Sequence, residues 1–157
     1  MDVLATRSDA GRVVARLIEY DEGNVAAARQ RISEAGLSAV TMVHGDAGDL
    51  ACCRGAVPAD LVILAGVFGN ISDAGVKATI GFLPQQCAEN ATIIWTRTRR
   101  APDLTGASRG WLGAEGFAEW AFHAPDEVLF SVGCPRVHRA AAAVDSKWND
   151  IPVRGMT

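Results

Sequence analysis

No stretch of this 157-residue chain approaches the roughly 20 consecutive apolar residues that a membrane-crossing helix needs. The opening MDVLATRSDAGR lacks the apolar centre of a secretory leader, and the chain reads as cytoplasmic. An excess of one charge is also missing. The formal net charge is −3, so nothing draws the whole chain to nucleic acid or to anionic lipid. A basic stripe with interleaved aromatics, the usual sign of a nucleic-acid surface, is absent. The four cysteines, Cys52, Cys53, Cys87 and Cys134, show no CxxC or CxxH spacing, which argues against a structural zinc site. They read as reduced thiols, and no metal is expected. There are no internal repeats.

What is present suits one soluble α/β domain. Hydrophobic residues make up 49% of the chain and charged residues 21%, enough apolar mass for a single core and too much for disorder. The stretch that organises the rest is ADLVILAGVFGNIS, residues 59–72. Leu61 to Ala65 is an unbroken apolar run after Pro58 and before glycines. Such a run reads as a strand buried on both faces, as in the middle of a parallel sheet. Ser72 and Asp73 then look like the cap of a helix.

Around this strand, hydrophobic periodicity changes repeatedly between strand and helix. Residues 2–8 read as the last turns of a helix. Val13 to Tyr20 reads as a strand, and Asn24 to Ala35 as an alanine-rich helix closed by Gly36. Val40 to His44 is a short strand, followed by a loose segment from Asp49 to Ala56. Ser72 to Leu83 is a helix that Pro84 ends or turns. Ala91 to Thr96 is a strand, and Thr105 to Glu115 a helix. Phe117 to Ala124 and Val128 to Cys134 form an antiparallel hairpin. The trio Trp95, Trp111 and Trp120 reads as core or core edge. From Pro135 onward the pattern fades into a loosely ordered tail, which gives a domain over residues 1–134 and a tail over 135–157. The alternation predicts a mostly parallel sheet between helix layers, a three-layer α/β sandwich of Rossmann-like type, with an antiparallel last strand.

Ligands of open α/β sheets bind beyond the C-terminal ends of the strands. Three such ends carry polar or small residues here. Glu19, with Tyr20 and Asp21 after it, could accept hydrogen bonds from both hydroxyls of a ribose, or could be a solvated turn acid. Asp46, between Gly45 and Ala47, could read the exocyclic amine of an adenine, or could cap the next helix. Ala65 to Asn70 could form a wall of small residues, or only a tight turn. Together on consecutive strands they point to a ligand containing a nucleoside. None of His44, His123 and His138 stands out as a general base: His44 sits at a strand end, where packing or capping is the ordinary role. Arg97, Arg99 and Arg100 follow the strand 91–96. They read as surface charge beside Asp103, or as an anion clamp for a carboxylate or phosphate.

RLIEYDEGNVAAAR, VHGDAGDL, ADLVILAGVFGNIS, ATIIWTRTRR and the closing hairpin together resemble class I S-adenosylmethionine-dependent methyltransferases over residues 12–135. The resemblance implies S-adenosylmethionine as cofactor and a small-molecule acceptor. It implies that Glu19 holds the ribose, with Tyr20 beside it, and that Asp46 and Ala47 meet the adenine. Ala65, Gly66 and Val67 would line the methionine end, and Phe68, Asn70 and Arg97 the acceptor. The catalytic residue, if one is needed, stays unassigned. One departure is large. The family opens with a strand and a glycine-rich loop ahead of the ribose acid, whereas only eighteen residues precede Glu19, with Gly11 the sole glycine among them. The chain thus resembles a methyltransferase truncated at that side. Two outcomes follow: the strands of Glu19 and Leu61 pair directly, or their edges stay without partners and open to a second copy of the chain in a homodimer. Two other readings remain, a catalytically silent binding module and a nicotinamide-dependent oxidoreductase. Against the latter stand the closing hairpin and the lack of a Tyr-x-x-x-Lys pair, the sole tyrosine being Tyr20.

Overall fold

The computed structural model describes residues 2–137, which divide into two compact units. The first, residues 2–56, contains helix α1 (Asp2–Ala5), a 3-10 turn at Ala10–Arg12, strand β1 (Ala15–Glu19), helix α2 (Glu22–Glu34), strand β2 (Val40–His44) and a 3-10 turn at Leu50–Cys53. β1 and β2 form a two-stranded parallel sheet, from Ala15 opposite Val40 to Glu19 opposite His44. Parallel neighbours need a crossover, and α2 supplies it. Its start is set by Asp21, whose side chain accepts the Asn24 N–H at 2.8 Å. Its end is set by Gly36 at φ +63°, with the Leu37 N–H on the Ile32 carbonyl at 3.1 Å and the Gly36 N–H on that of Ser33 at 3.1 Å. That pair of reversed bonds is a Schellman closure, which needs a left-handed residue and so favours glycine. Val25, Leu37 and Val40 are buried.

The second unit, described over residues 57–137, contains strand β3 (Ala59–Leu64), helix α3 (Asp73–Gln86), strand β4 (Cys87–Thr98), helix α4 (Thr105–Ala114), strand β5 (Phe117–His123) and strand β6 (Phe130–Val137). The sheet order is β3-β4-β6-β5. β3 and β4 are parallel, and β6 runs antiparallel to both β4 and β5, so the closing hairpin is as expected. The core gathers Val76, Ile80 and Leu83 from α3, Leu112 from α4, Ile93 and Trp95 from β4, and Phe68 and Phe117. Val62 and Leu64 of β3 pack against it. Pro84 lies inside α3, which continues past it to Gln86. Proline there removes only the bond to the Ile80 carbonyl, in the last turn, where Leu83 is already anchored in the core.

Three expectations are corrected. β3 is not buried on both faces: Leu61 is 50% and Ile63 57% exposed, because α3 and α4 both cover the face that carries Val62 and Leu64. Trp120 is 64% exposed, stacked under the Arg136 guanidinium at 3.6 Å rather than in the core. The closing strand does not stop at Cys134: β6 runs to Val137 with Arg136 opposite Ala118 and Val137 opposite Phe117. The rest of the expected tail, with His138, lies outside the described residues. Of the two outcomes open for β1 and β3, the structure shows the second: they belong to separate sheets, and in each the other edge of the strand has no described partner.

Cys87, at the α3–β4 junction, is buried in the core, and burial pushes its thiol up to about 11. The folded thiol keeps its proton where the unfolded one would lose it. Its contribution to stability is therefore complete below the ordinary thiol range and declines as pH climbs toward 11. Native protein at pH ~8 should leave Cys87 unalkylated by iodoacetamide, and urea-unfolded protein should not; mass spectrometry of the Cys87 peptide reads the difference.

Candidate functional site

In the first unit the parallel register brings the C-terminal ends of β1 and β2 side by side. Two bonds extend the pairing past the ladder. The Gly45 N–H donates to the Glu19 carbonyl at 3.0 Å. His44 Nε2 lies 3.0 Å from the Tyr20 carbonyl, and since a carbonyl only accepts, the ring nitrogen donates. Glu19 turns back on its own chain: Oε1 accepts the N–H groups of Tyr20 at 2.8 Å and Asp21 at 2.9 Å. Asp46 Oδ1 accepts the Gly48 N–H at 2.7 Å, an Asx turn with Ala47 inside it. Each carboxylate is thus oriented by backbone through one oxygen, and no described residue donates to the other oxygen. Tyr20, 77% exposed, stands next to Glu19.

The floor of this rim is closed from behind. A Cβ on Gly45 would lie 2.7 Å from Cys52 Sγ, so any larger residue there would have to displace the Cys52 side chain. Arg16 fastens the same segment by donating to the carbonyls of Cys52, at 3.3 Å, and Arg54. Burial, and then the charge of Asp49, push the Cys52 thiol up; burial does the same to Cys53. Neither is set up as a thiolate nucleophile. A cavity of about 170 Å³, walled by Leu4, Ala10, Val13, Gly36, Leu37 and Val40, lies at the other end of the β1–β2 pair, away from the carboxylates.

In the second unit the turn after β3 is held by three side chains. Gly66, at φ +73°, donates its N–H to Thr96 Oγ1 at 2.9 Å. Asn70 Nδ2 donates to the Gly66 carbonyl at 2.6 Å, and the Asn70 N–H to that of Val67 at 3.0 Å. Arg97 donates to the Phe68 carbonyl. Ser72 then caps α3, its hydroxyl accepting the Gly75 N–H at 3.1 Å. Ala65, Gly66 and Val67 therefore sit at the C-terminal end of β3, where the sequence put them.

Phe68 of this loop and Arg97 of β4 do something other than expected. Phe68 is 0% exposed, its ring 5.8 Å from that of Trp95, so it anchors the loop in the core and cannot touch a dissolved acceptor. Arg97 is engaged by a main-chain carbonyl, and Arg99 donates to those of Pro125 and, at 2.7 Å, Val128. These guanidiniums brace backbone; Asp103 instead accepts the Thr105 N–H at 2.9 Å, which with the Thr105 bonds holds its carboxyl below the usual range. Thr96 was not singled out from sequence. The available signal was a hydroxyl residue at the end of a strand whose parallel neighbour ends in a glycine turn.

Among the described residues no group of three His, Cys, Asp or Glu could hold a metal ion, and no helix is long and apolar enough to cross a membrane. No protein-family model matches the sequence, and no curated protein does. Solved structures do. N-methyltransferase NodS from Bradyrhizobium japonicum WM9, in complex with S-adenosyl-L-homocysteine, superposes with a TM-score of 0.62 at 15% identity, covering 79% of this chain and 66% of that one. An O-methyltransferase family protein from Burkholderia thailandensis gives 0.62 at 13% identity, over 87% of this chain and 54% of its own. A TehB-like methyltransferase from Corynebacterium glutamicum gives 0.58 at 12% identity, over 76% and 66%.

The chain has the class I methyltransferase fold. It spans between 42% and 72% of the length of the structures compared. The second unit carries the antiparallel closing strand. Among the described residues neither a strand nor a glycine-rich loop precedes β1. The donor chemistry of the first unit nevertheless fits the nucleoside half of S-adenosylmethionine. Ribose hydroxyls and the adenine amine are donors, and Glu19 and Asp46 each present an oxygen with no described donor. The sulfonium cofactor carries no phosphate, so no cationic cradle is required of the rim.

Proposed function

We propose that this chain binds S-adenosylmethionine and that its activity is methyl transfer to a small-molecule acceptor. The observation that supports this best is the pair of backbone-oriented carboxylates, Glu19 and Asp46, at adjacent ends of two parallel strands in a chain of methyltransferase fold. Glu19 takes the ribose hydroxyls, with Tyr20 beside it. Asp46 and Ala47 take the adenine edge. Ala65, Gly66 and Val67 take the methionine end. Asn70, whose Oδ1 remains free to accept, faces the acceptor, and Phe68 and Arg97 hold that loop from within.

When bound, S-adenosylmethionine would supply an electrophilic methyl group for in-line transfer, its thioether being the leaving group. What the chain contributes is positioning and exclusion of water. A general base is needed only for an acceptor that must lose a proton, and no described histidine is aimed at that task. The antiparallel closing strand favours this reading over a nicotinamide-dependent oxidoreductase. A second reading is a silent module that binds the nucleoside without turnover. A second copy of the chain pairing along an edge of β1 or β3 belongs to the same proposal, supported by the exposed Leu61 and Ile63.

Isothermal titration with S-adenosylhomocysteine tests the assignment. The wild type should bind it, and Asp46→Asn should bind about tenfold more weakly, since a charged acceptor of the adenine amine becomes a neutral one. No detectable binding at millimolar ligand overturns the proposal. Binding without methylation of any acceptor in a panel of amines, phenols and thiols leaves the silent module.

A further inference from the structure

We propose that Thr96, with Asn70, is a positioning residue that fixes the shape of the loop 65–70 before a ligand arrives. This rests on the cofactor assignment above and extends it to a residue outside the resemblance. Gly66 is the centre of the device. Its φ of +73° is one that glycine adopts without strain. Both of its main-chain groups are taken by side chains, the N–H by Thr96 Oγ1 at 2.9 Å and the carbonyl by Asn70 Nδ2 at 2.6 Å. Thr96 can do this because it lies one residue beyond the last β3–β4 pair, Leu64 opposite Trp95, directly beside the outgoing loop. The Asn70 N–H on the Val67 carbonyl at 3.0 Å closes the turn between the two clamped ends.

Because its amide is occupied, Gly66 does not donate to a ligand. What the loop offers is a preformed surface, and preformation lowers the ordering cost of binding. Both side-chain bonds are exposed to solvent, so water replaces them when they break. Their loss changes global stability little but leaves the loop with several shapes in place of one. Stability and binding should therefore separate.

The test is titration calorimetry of wild type, Thr96→Val and Thr96→Ser with S-adenosylhomocysteine and with adenosine. Valine keeps the shape of threonine and removes the acceptor; serine keeps the acceptor. Thr96→Val should bind S-adenosylhomocysteine roughly fivefold to tenfold more weakly, the effect of one hydrogen bond. It should bind adenosine, which lacks the methionine end, as the wild type does. Thr96→Ser should recover wild-type affinity for both, and all three should melt within about 2 °C of one another. Equal losses for both ligands, or no loss for either, overturn the proposal. If the wild type binds neither ligand, the cofactor assignment fails, and amide exchange decides the lock by itself. A Gly66 amide exchanging about tenfold faster in Thr96→Val, with β3 amides unchanged, upholds it; an unchanged Gly66 amide overturns it.

Discussion

Gly133→Ala should lower the melting temperature of this protein by about 10 °C, the equivalent of roughly 3 kcal/mol or more. Gly133 of β6 stands opposite Trp95 of β4 on the core face of the sheet. A Cβ there would come within 2.6 Å of Trp95 Cζ2, closer than any real contact between carbons. The indole has nowhere to go. It is buried between Phe68, at 5.8 Å between ring centroids, and Phe122, at 6.1 Å. Relief requires either an off-rotamer tryptophan or a separation of β4 from β6, and both carry over to the neighbouring ladder. Urea denaturation reads the loss. Replacing the ring as well, in Trp95→Leu/Gly133→Ala, should show a coupling of about 1 kcal/mol or more, the double variant being less damaged than the sum of the singles. A single variant that melts within about 2 °C of wild type would mean that the indole does not lie across Gly133 in solution.

The elements that could be read from sequence were those whose signals are local. β2 is Val40–His44 as expected, and the Ser72 cap places its helix, whereas α2 begins at Glu22 behind an Asp21 cap, two residues ahead of the expected start at Asn24. Glu19 and Asp46 could be placed on one rim because side-by-side parallel strands follow from a strand-helix-strand order alone. What a local pattern cannot contain is which face of a strand is covered. Leu61 and Ile63 have the composition of a strand buried on both faces, yet α3 and α4 both settle on the side of Val62 and Leu64. The resemblance implied that Phe68 lines the acceptor, but its neighbour in space is Trp95, 27 residues further along and visible only once β3 and β4 pair. The roles of Thr96 and Arg97 depend on the same pairing, since each reaches a main-chain group of the loop beside it. Trp120 lies at the exposed end of a stack with Arg136 that forms only when β5 meets β6.

Glu19→Gln should retain the fold and lose the ligand, which makes it the sharpest test of the rim. Oε1 of Glu19 holds the turn at the end of β1 through the N–H groups of Tyr20 and Asp21. Glutamine keeps one carbonyl oxygen of the same reach, and the amide can rotate to leave that oxygen on the two N–H groups. Its NH₂ then replaces the carboxylate oxygen to which no described residue donates. Against a ribose, whose hydroxyls are to donate, that exchange removes a charged acceptor and sets a donor opposite donors. The affinity for S-adenosylhomocysteine should fall by roughly tenfold to a hundredfold while the melting temperature stays within about 2 °C. Glu19→Ala should lose at least as much affinity and, by freeing both N–H groups of the turn, should also lose about 1 kcal/mol of stability. The order of the two variants therefore separates the jobs of the two oxygens, one structural and one for the ligand. A Glu19→Gln protein that binds as tightly as wild type would remove Glu19 from the ribose and leave its carboxylate as a turn acid alone.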